Sequence, residues 1–162
     1  MRLLSGFKNL FGSTDAPSSN VLETPTLRIV LPPDWKVKLR TSPISAVGPR
    51  GEVLKVTSFA VTGNGTPEEL AGIRTELLGK LHRTIEATAA EPVFTEFSGV
   101  TEETLPSAML LVATLKSVRG GFAFWQFGLL GASTALYANC QFPPTASSQE
   151  SVSAAIRGTE WR

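Results

Sequence analysis

Three short strands are predicted in the N-terminal half of the chain. Trp35–Leu39 and Glu52–Val61 alternate apolar and polar residues, which is the period of a half-buried strand. Thr26–Leu31 is a short apolar strand ended by two prolines, and Ser42–Arg50 is rich in turn formers and is predicted as a connection. This half is therefore expected to be β-structure joined by turns.

A long helix follows, because the apolar period changes from two residues to three and four. Thr66 and Glu69 have the spacing of a capping box, Pro67 occupies the first helical position, and the helix is predicted to run to about Ala89. Its predicted buried stripe is Leu70, Ile73, Leu77, Leu81 and Ile85.

The last third of the chain predicts a meander of three long strands with almost no charge. They are Met109–Val118, Phe122–Leu130 and Ala135–Phe142, and a Gly120-Gly121 turn joins the first two. Their residues are apolar on both faces, so the sheet should be covered on both sides.

Shorter elements flank this meander. Val93–Phe97 is predicted as a strand and Gly99–Pro106 as a polar loop. Ser147–Glu150 has the spacing of a second capping box and begins a short C-terminal helix that Gly158 ends, close to Trp161.

The order of these elements predicts the fold class. Strands come in runs, without regular βαβ alternation, so the class is α+β with a mainly antiparallel sheet of about six to seven strands. One long central helix and a short C-terminal helix cover this sheet in a layered sandwich. Residues 21–162 are expected to form a single domain.

Residues 1–20 are expected to precede this domain as an amphipathic segment and a polar linker. Leu3, Leu4, Phe7, Leu10 and Phe11 fall at helical spacing. The stretch is too short for a bilayer span and too interrupted for a secretory signal. We expect residues 1–12 to dock on their own domain; the alternatives are a partner-binding arm and weak contact with a membrane surface.

Charge and cysteine content exclude several classes of protein. The net charge is +1 with no basic stripe, so no nucleic-acid partner is expected. A single cysteine cannot form an internal disulfide, which fits a reducing compartment and a cytoplasmic location. Charged residues make up only 18%, which predicts that a partner or a second copy covers some apolar surface.

Few residues could carry catalysis. His82 is the only histidine and flanks the long helix, Cys140 alternates inward with core residues, and the adjacent Glu102 and Glu103 are expected to be solvated. One histidine and one cysteine cannot supply the three or four ligands of a metal site. No phosphate-binding lysine follows the Gly63-Asn64-Gly65 turn. We therefore expect no enzymatic activity, no cofactor and no metal.

Several segments together resemble the PsbP/Mog1/DcrB-like superfamily. They are Leu31-Pro32-Pro33-Asp34-Trp35, the capped central helix, and Leu136–Pro143 with the helix and tryptophan that follow. The resemblance implies a layered sandwich without shared catalytic residues and a role as an adaptor. Members include photosystem assembly factors, a nuclear-transport cofactor, bacterial lipoproteins and cytosolic proteins of secretion systems. Because no lipoprotein signal is found, the secretion-associated members, including those of type VI secretion, are the nearest analogy.

One face of the second meander strand combines aromatic and polar residues. With a turn at Gly120-Gly121, Lys116 is expected opposite Trp125 and Thr114 opposite Phe127. Large aromatic and cationic groups concentrate at protein interfaces. These four residues and Trp35 are therefore candidate contacts with a partner, and the alternative is a helix that covers this face.

The sequence thus predicts a non-enzymatic bacterial protein-binding module. It would sequester or escort a protein such as a toxin or secreted effector, in an immunity-type or chaperone role, as a monomer or a homodimer. One alternative is a small-molecule-binding protein with a pocket between sheet and helix. The other is an envelope-associated protein held by Leu3–Phe11.

Overall fold

The computed structural model describes residues 19–60, 66–117 and 121–162, with the backbone alone for residues 111–117. Two helices and eleven strands form in these ranges. In chain order they are β1 (Val21–Glu23), β2 (Leu27–Val30), β3 (Lys36–Leu39), β4 (Ile44–Val47), β5 (Val53–Ala60), α1 (Pro67–Ala89), β6 (Phe94–Phe97), β7 (Thr101–Thr104), β8 (Met109–Ser117), β9 (Ala123–Leu130), β10 (Thr134–Phe142), α2 (Gln149–Arg157) and β11 (Glu160–Trp161).

The large sheet has the order β3-β4-β5-β10-β9-β8-β6, and β7 also pairs with β8. Every pairing within it is antiparallel. The predicted α+β class, the mainly antiparallel sheet, the long helix and the short C-terminal helix are therefore confirmed. The predicted meander β8-β9-β10 forms the centre of this sheet.

A second sheet of three strands was not predicted. It has the order β1-β2-β11, so the C-terminal Trp161 returns to pair with Leu27 near the start of the domain. The signal was weak because β1 and β11 have only three and two residues. The core lies between this sheet, α2 and one face of the large sheet, and Trp35, Phe127 and Phe142 are among its largest buried side chains.

Two segments predicted as connections are strands. Ser42–Arg50 contains β4, in which Ile44 and Ala46 are buried between β3 and β5. The predicted polar loop contains β7, an exposed Thr-Glu-Glu-Thr strand paired with β8. The sequence has no apolar alternation that would predict β7, because neither face of this strand is buried.

Helix α1 begins as predicted. The Thr66 hydroxyl accepts a hydrogen bond from the Glu69 N–H, and the Glu69 carboxylate accepts one from the Thr66 N–H. Lys80 and Glu76, four residues apart on the exposed side of the helix, form an ion pair at 3.4 Å. Of the predicted stripe only Leu81 and Ile85 are buried, since Leu70, Ile73 and Leu77 are half-buried. The N-terminal half of α1 is thus less tightly covered than its C-terminal half.

The second predicted capping box does not form. Ser148 precedes α2, but its hydroxyl donates to Glu52 Oε1 at 2.8 Å instead of capping the helix. Glu52 is 1% exposed, and its Oε2 accepts the backbone N–H of Arg50 at 2.8 Å. The Ser148 hydroxyl thus acts as a donor to a charged acceptor, which is a strong hydrogen bond, and it accepts none from the backbone N–H groups of α2. Glu52 therefore links β5 to the start of α2.

The predicted amphipathic segment of residues 1–12 and most of the linker lie outside the described residues, as does the Gly63-Asn64-Gly65 turn. In the part of the chain that is described, no helix is both long and apolar enough to cross a bilayer.

Candidate functional site

The large sheet has two faces, which its register separates. Residues directly opposite each other on antiparallel neighbours point to the same side. Val37, Ala46, Leu54 and Cys140 are connected in this way and are all buried in the core. We call their side the core face. The residues between them point to the other side, where α1 lies.

Helix α1 covers only part of this second face. It packs on β8 and β9, and its buried Leu81 and Ile85 reach Tyr137 on β10. Strands β3, β4 and β5 lie beyond the helix in the strand order. We call their α1-side residues the open face: Lys36, Leu39, Ser45, Val47, Val53, Lys55, Thr57 and Phe59.

Two large apolar residues of the open face are exposed. Leu39 is 57% exposed and Phe59 is 48% exposed, while Val47 and Val53 are half-buried. The predicted alternation of β5 is confirmed, since Leu54 and Val56 are buried on the core face and Lys55 and Phe59 lie on the other. Lys55 and Phe59 therefore lie on a part of the sheet that no described helix covers.

A cleft separates the open face from α1. Its volume is about 370 Å³, and its lining is mostly apolar. The lining residues come from β5, β10 and α1: Thr57, Phe59, Leu77, Lys80, Leu81, Thr84, Ala135 and Tyr137. Leu77, one of its lining residues on α1, is half-buried. The half-covered groove between α1 and the open face is the candidate functional site.

Most polar groups in the cleft are already bonded within the chain. The Thr84 hydroxyl donates to the Lys80 carbonyl at 2.9 Å, and Lys80 pairs with Glu76. The Tyr137 hydroxyl donates to Gln126 Oε1 at 2.5 Å. The cleft thus offers an apolar slot with few polar groups free to orient a ligand.

Tyr137 and Gln126 form a buried polar bridge under α1. Gln126 is fully buried, and its Nε2 donates to the Ile85 carbonyl at 3.3 Å. Burial raises the pKa of Tyr137, and hydrogen bonds with Thr88 and Asn139 oppose that rise only in part. The phenol therefore stays protonated and continues to donate to Gln126. This bridge fixes the inner wall of the cleft.

Tyr137→Phe should reduce the free energy of unfolding by about 1–3 kcal/mol, because it leaves Gln126 Oε1 buried without its donor. Urea denaturation measures the change. The double variant Tyr137→Phe with Gln126→Leu should recover part of the loss, since no unpaired amide oxygen remains. An unchanged stability in the single variant would show that the bridge does not form.

Three predicted contact residues are part of the chain's own core face. Trp35 is 1% exposed and Phe127 is 0% exposed, so a partner at the surface cannot touch them. Trp125 is half-buried, with its ring 6.2 Å from that of Phe127 and 6.0 Å from that of Phe142. The expected aromatic docking face is corrected accordingly: it is covered mainly by the small sheet and α2.

The predicted register between β8 and β9 is wrong by two residues. Thr114 lies opposite Trp125, and Lys116 lies opposite Ala123. The observed shift pairs apolar with apolar residues on the core face, with Val112 opposite Phe127. A shift of two keeps each residue on its face, so the backbones of Thr114 and Lys116 belong to the core face; their side chains lie outside the described residues.

The residue types most suited to catalysis are separated in space and tied to structure. Burial, and to a smaller extent the charge of Glu52, raises the pKa of the Cys140 thiol far above neutrality, so it remains protonated. His82 lies 3.4 Å from Glu86 on the surface of α1. Glu103 forms an ion pair with Arg157. Among the described residues, no three metal-binding side chains come together.

Comparison with solved structures identifies the fold. CyanoP, the PsbP protein of the cyanobacterium Synechocystis sp. PCC 6803, has a TM-score of 0.56 at 10% identity, over 93% of this chain and 96% of its own. LpqN of Mycobacterium tuberculosis, which is involved in cell envelope biogenesis, has a TM-score of 0.55 at 17% identity, over 91% and 87%. No family profile and no curated protein matches the sequence.

A protein of Bacteroides thetaiotaomicron VPI-5482 has a TM-score of 0.58 at 10% identity and is matched over 90% of this chain. The chain spans about half of that protein, 49% of its length. These similarities show the fold alone. The fold is of the Mog1/PsbP type, as the resemblance in the sequence implied.

Sequence reasoning missed the groove. The exposed Phe59 and Leu39 were each assigned to strands, but nothing local indicates that α1 would leave them uncovered. The one available signal was that Val53, Lys55, Thr57 and Phe59 put lysine beside apolar residues on one side of β5. Whether such a side is covered depends on where the helix packs, which is a tertiary property.

Proposed function

We propose that this protein is a non-enzymatic binding module that docks a protein partner in the groove between α1 and the open face. The observation that carries the proposal is the incomplete cover of the large sheet. Leu39 and Phe59 are among the most exposed large apolar residues of the described chain, and both lie on this one face. Exposed apolar residues that share one face beside an apolar cleft mark a candidate interaction site.

The polar groups of the cleft favour a protein over a small polar metabolite. Metabolite sites use a few placed polar groups to orient the ligand. Here Thr84, Lys80 and Tyr137 are engaged with other residues of the chain. An apolar side chain from a partner needs no such groups, and the cleft beside Phe59 gives it a place to be buried.

Sequestering or escorting the partner is our proposal for the biological role, in an immunity-type or chaperone capacity. Cytoplasmic location is part of it. The envelope-associated alternative draws on LpqN, which shares the fold and is involved in cell envelope biogenesis. Fractionation of the tagged protein in its own cells separates the two, because recovery with the envelope would count against the cytoplasmic role.

A small-molecule-binding function is the second candidate, favoured by one observation. The cleft volume of about 370 Å³ falls within the range of ligand pockets. A ligand that binds only the folded state raises the Tm by mass action. A thermal-shift screen of metabolites therefore tests this candidate: a large shift that Leu81→Phe removes would favour it over protein binding.

Site-specific crosslinking tests the proposed protein partner. A photoreactive phenylalanine analogue at position 59 should give a discrete protein adduct in the native cells. The same analogue at Phe97, which is 43% exposed on β6, should give none and is the matched control.

The adduct must then be identified and its binding reproduced with purified protein. Phe59→Ser should weaken that binding about ten-fold or more while changing the Tm little, since Phe59 is half-exposed. Adducts at position 97 but not at 59, or unchanged binding by Phe59→Ser, would contradict docking in the groove.

A further inference from the structure

We infer, building on the proposed function, that the partner segment is an acidic amphipathic helix that lies beside α1 on the open face. The width of that face sets the first limit. Strands lie about 4.8 Å apart, so β3, β4 and β5 span about 14 Å. A helix with its side chains is about 10–12 Å wide. The open face therefore accommodates one helix, parallel or antiparallel to α1.

The free edge of the sheet argues against an added strand. An extended peptide would pair with the backbone of β3, which ends the strand order. At that edge the Val37 N–H already donates to the Ser19 carbonyl at 3.0 Å. The segment before β1 thus occupies part of the site that a strand would need. A strand added at this edge would have to displace that segment, whereas a helix on the face would not.

The apolar contacts suit a helix with a narrow stripe. Val47 and Val53 lie in one row with Lys36, and Leu39 lies in the next row with Lys55. Phe59 lies four residues beyond Lys55 along β5, on the same face. The cleft beside Phe59 adds Leu77 and Leu81 of α1 as a wall. A helix whose apolar residues recur at three and four positions places them along this floor, with one large side chain in the cleft.

The charge of the open face indicates which polar residues the partner helix should carry. Lys36 and Lys55 are exposed, and neither forms an ion pair with another described residue. Lys80 adds a third cation at the rim, paired with Glu76. Glu91 acts on Tyr137 at the inner wall of the cleft. The outer part of the groove is therefore positive, and glutamates flanking the apolar stripe would complement it.

The same charges disfavour two occupants from this chain itself. Residues 1–12 have an apolar helical stripe, but they carry Arg2 and Lys8 and no acidic residue. They would bring like charge to Lys36 and Lys55. Two copies that paired through their open faces would also oppose lysines to lysines.

Three synthetic helical peptides with one shared leucine stripe test the inference on the full-length protein. Their flanking positions are all glutamate, all glutamine or all lysine. By fluorescence anisotropy at low salt, the glutamate peptide should bind about ten-fold more tightly than the lysine peptide, and added salt should shrink that ratio. The double variant Lys36→Glu with Lys55→Glu should reverse the order. Val30→Ser, at an exposed valine of the small sheet, is the control and should change nothing.

Each other outcome overturns the inference. Equal binding of the three peptides would contradict the claim that the partner segment is acidic. Absence of binding by all three would contradict the claim that it is a helix. Tighter binding of a synthetic peptide of residues 1–18 would make the chain's own segment the occupant. Binding of vesicles with 30% anionic phosphatidylglycerol, but not of the glutamate peptide, would make a membrane surface the partner. If the crosslink at position 59 forms while the glutamate peptide fails, only this inference is lost; if both fail, so is the proposed function.

Discussion

Phe127→Ala should lower the free energy of unfolding by about 3–5 kcal/mol. Phe127 is fully buried on the core face, opposite Ala138 of β10 and Val112 of β8, and its ring lies 6.2 Å from that of Trp125. Truncation leaves a cavity between two sheets that cannot close around it. Urea denaturation followed by tryptophan fluorescence measures the change.

Phe59→Ala is the matched control, since it removes the same atoms from the other face of the same sheet. Because Phe59 is 48% exposed, its loss should cost no more than about 1 kcal/mol. Phe59→Ala should weaken binding of the partner more than it lowers stability. If Phe59 proves as important for stability as Phe127, the open face is not an open surface.

Glu52→Ala should cost about 3 kcal/mol, although it removes no large apolar group. The change takes away the acceptor of the Ser148 hydroxyl and of the Arg50 N–H, both at 2.8 Å. Hydrogen bonds to a charged acceptor contribute more than neutral ones, and here two part-buried donors lose their acceptor together. The start of α2 should therefore loosen, which hydrogen exchange of the α2 amides would detect.

The stability of the wild-type protein should depend on pH through the same carboxylate. Burial raises the pKa of Glu52, but hydrogen bonds from its own N–H, from Ser148 and from Arg50, with the Arg50 charge, outweigh burial and leave the pKa below its ordinary value. The stabilisation is therefore complete above the ordinary glutamate pKa of about 4.3 and is lost as the pH falls through the folded-state pKa. Glu52→Gln should flatten the stability profile below about pH 5, where the wild-type protein begins to lose this stabilisation. Equal slopes for the two proteins would contradict this account of Glu52.

Local pattern predicted the parts of the fold that local physics determines. The capping box at Thr66 and Glu69, the alternation of β5 and the long apolar strands β8 to β10 each follow from neighbouring residues. The elements that the sequence did not indicate are short or exposed. β7 buries neither face, and β11 is a two-residue strand that forms because Trp161 meets Leu27 from the other end of the chain.

The candidate site could be predicted only in kind. An exposed face of the sheet is only one of the two alternatives that the sequence leaves open, and it assigns Trp125, Phe127 and Trp35 to that face instead of Phe59 and Leu39. Large aromatics suit a core and an interface equally, so residue type cannot separate the two. The choice depends on which face the small sheet and α2 cover, and those contacts join distant parts of the chain.

Methyl NMR during titration with the glutamate peptide tests the central claim most directly, because it locates the bound helix on the protein. The account predicts shifts for Leu39 and Val53 on the open face and for Leu77 and Leu81 in the cleft. Val30, exposed on the small sheet, should keep its position. Shifts centred on Val30, or a saturable interaction that leaves Leu39 and Leu77 unmoved, would contradict a binding groove between α1 and the open face.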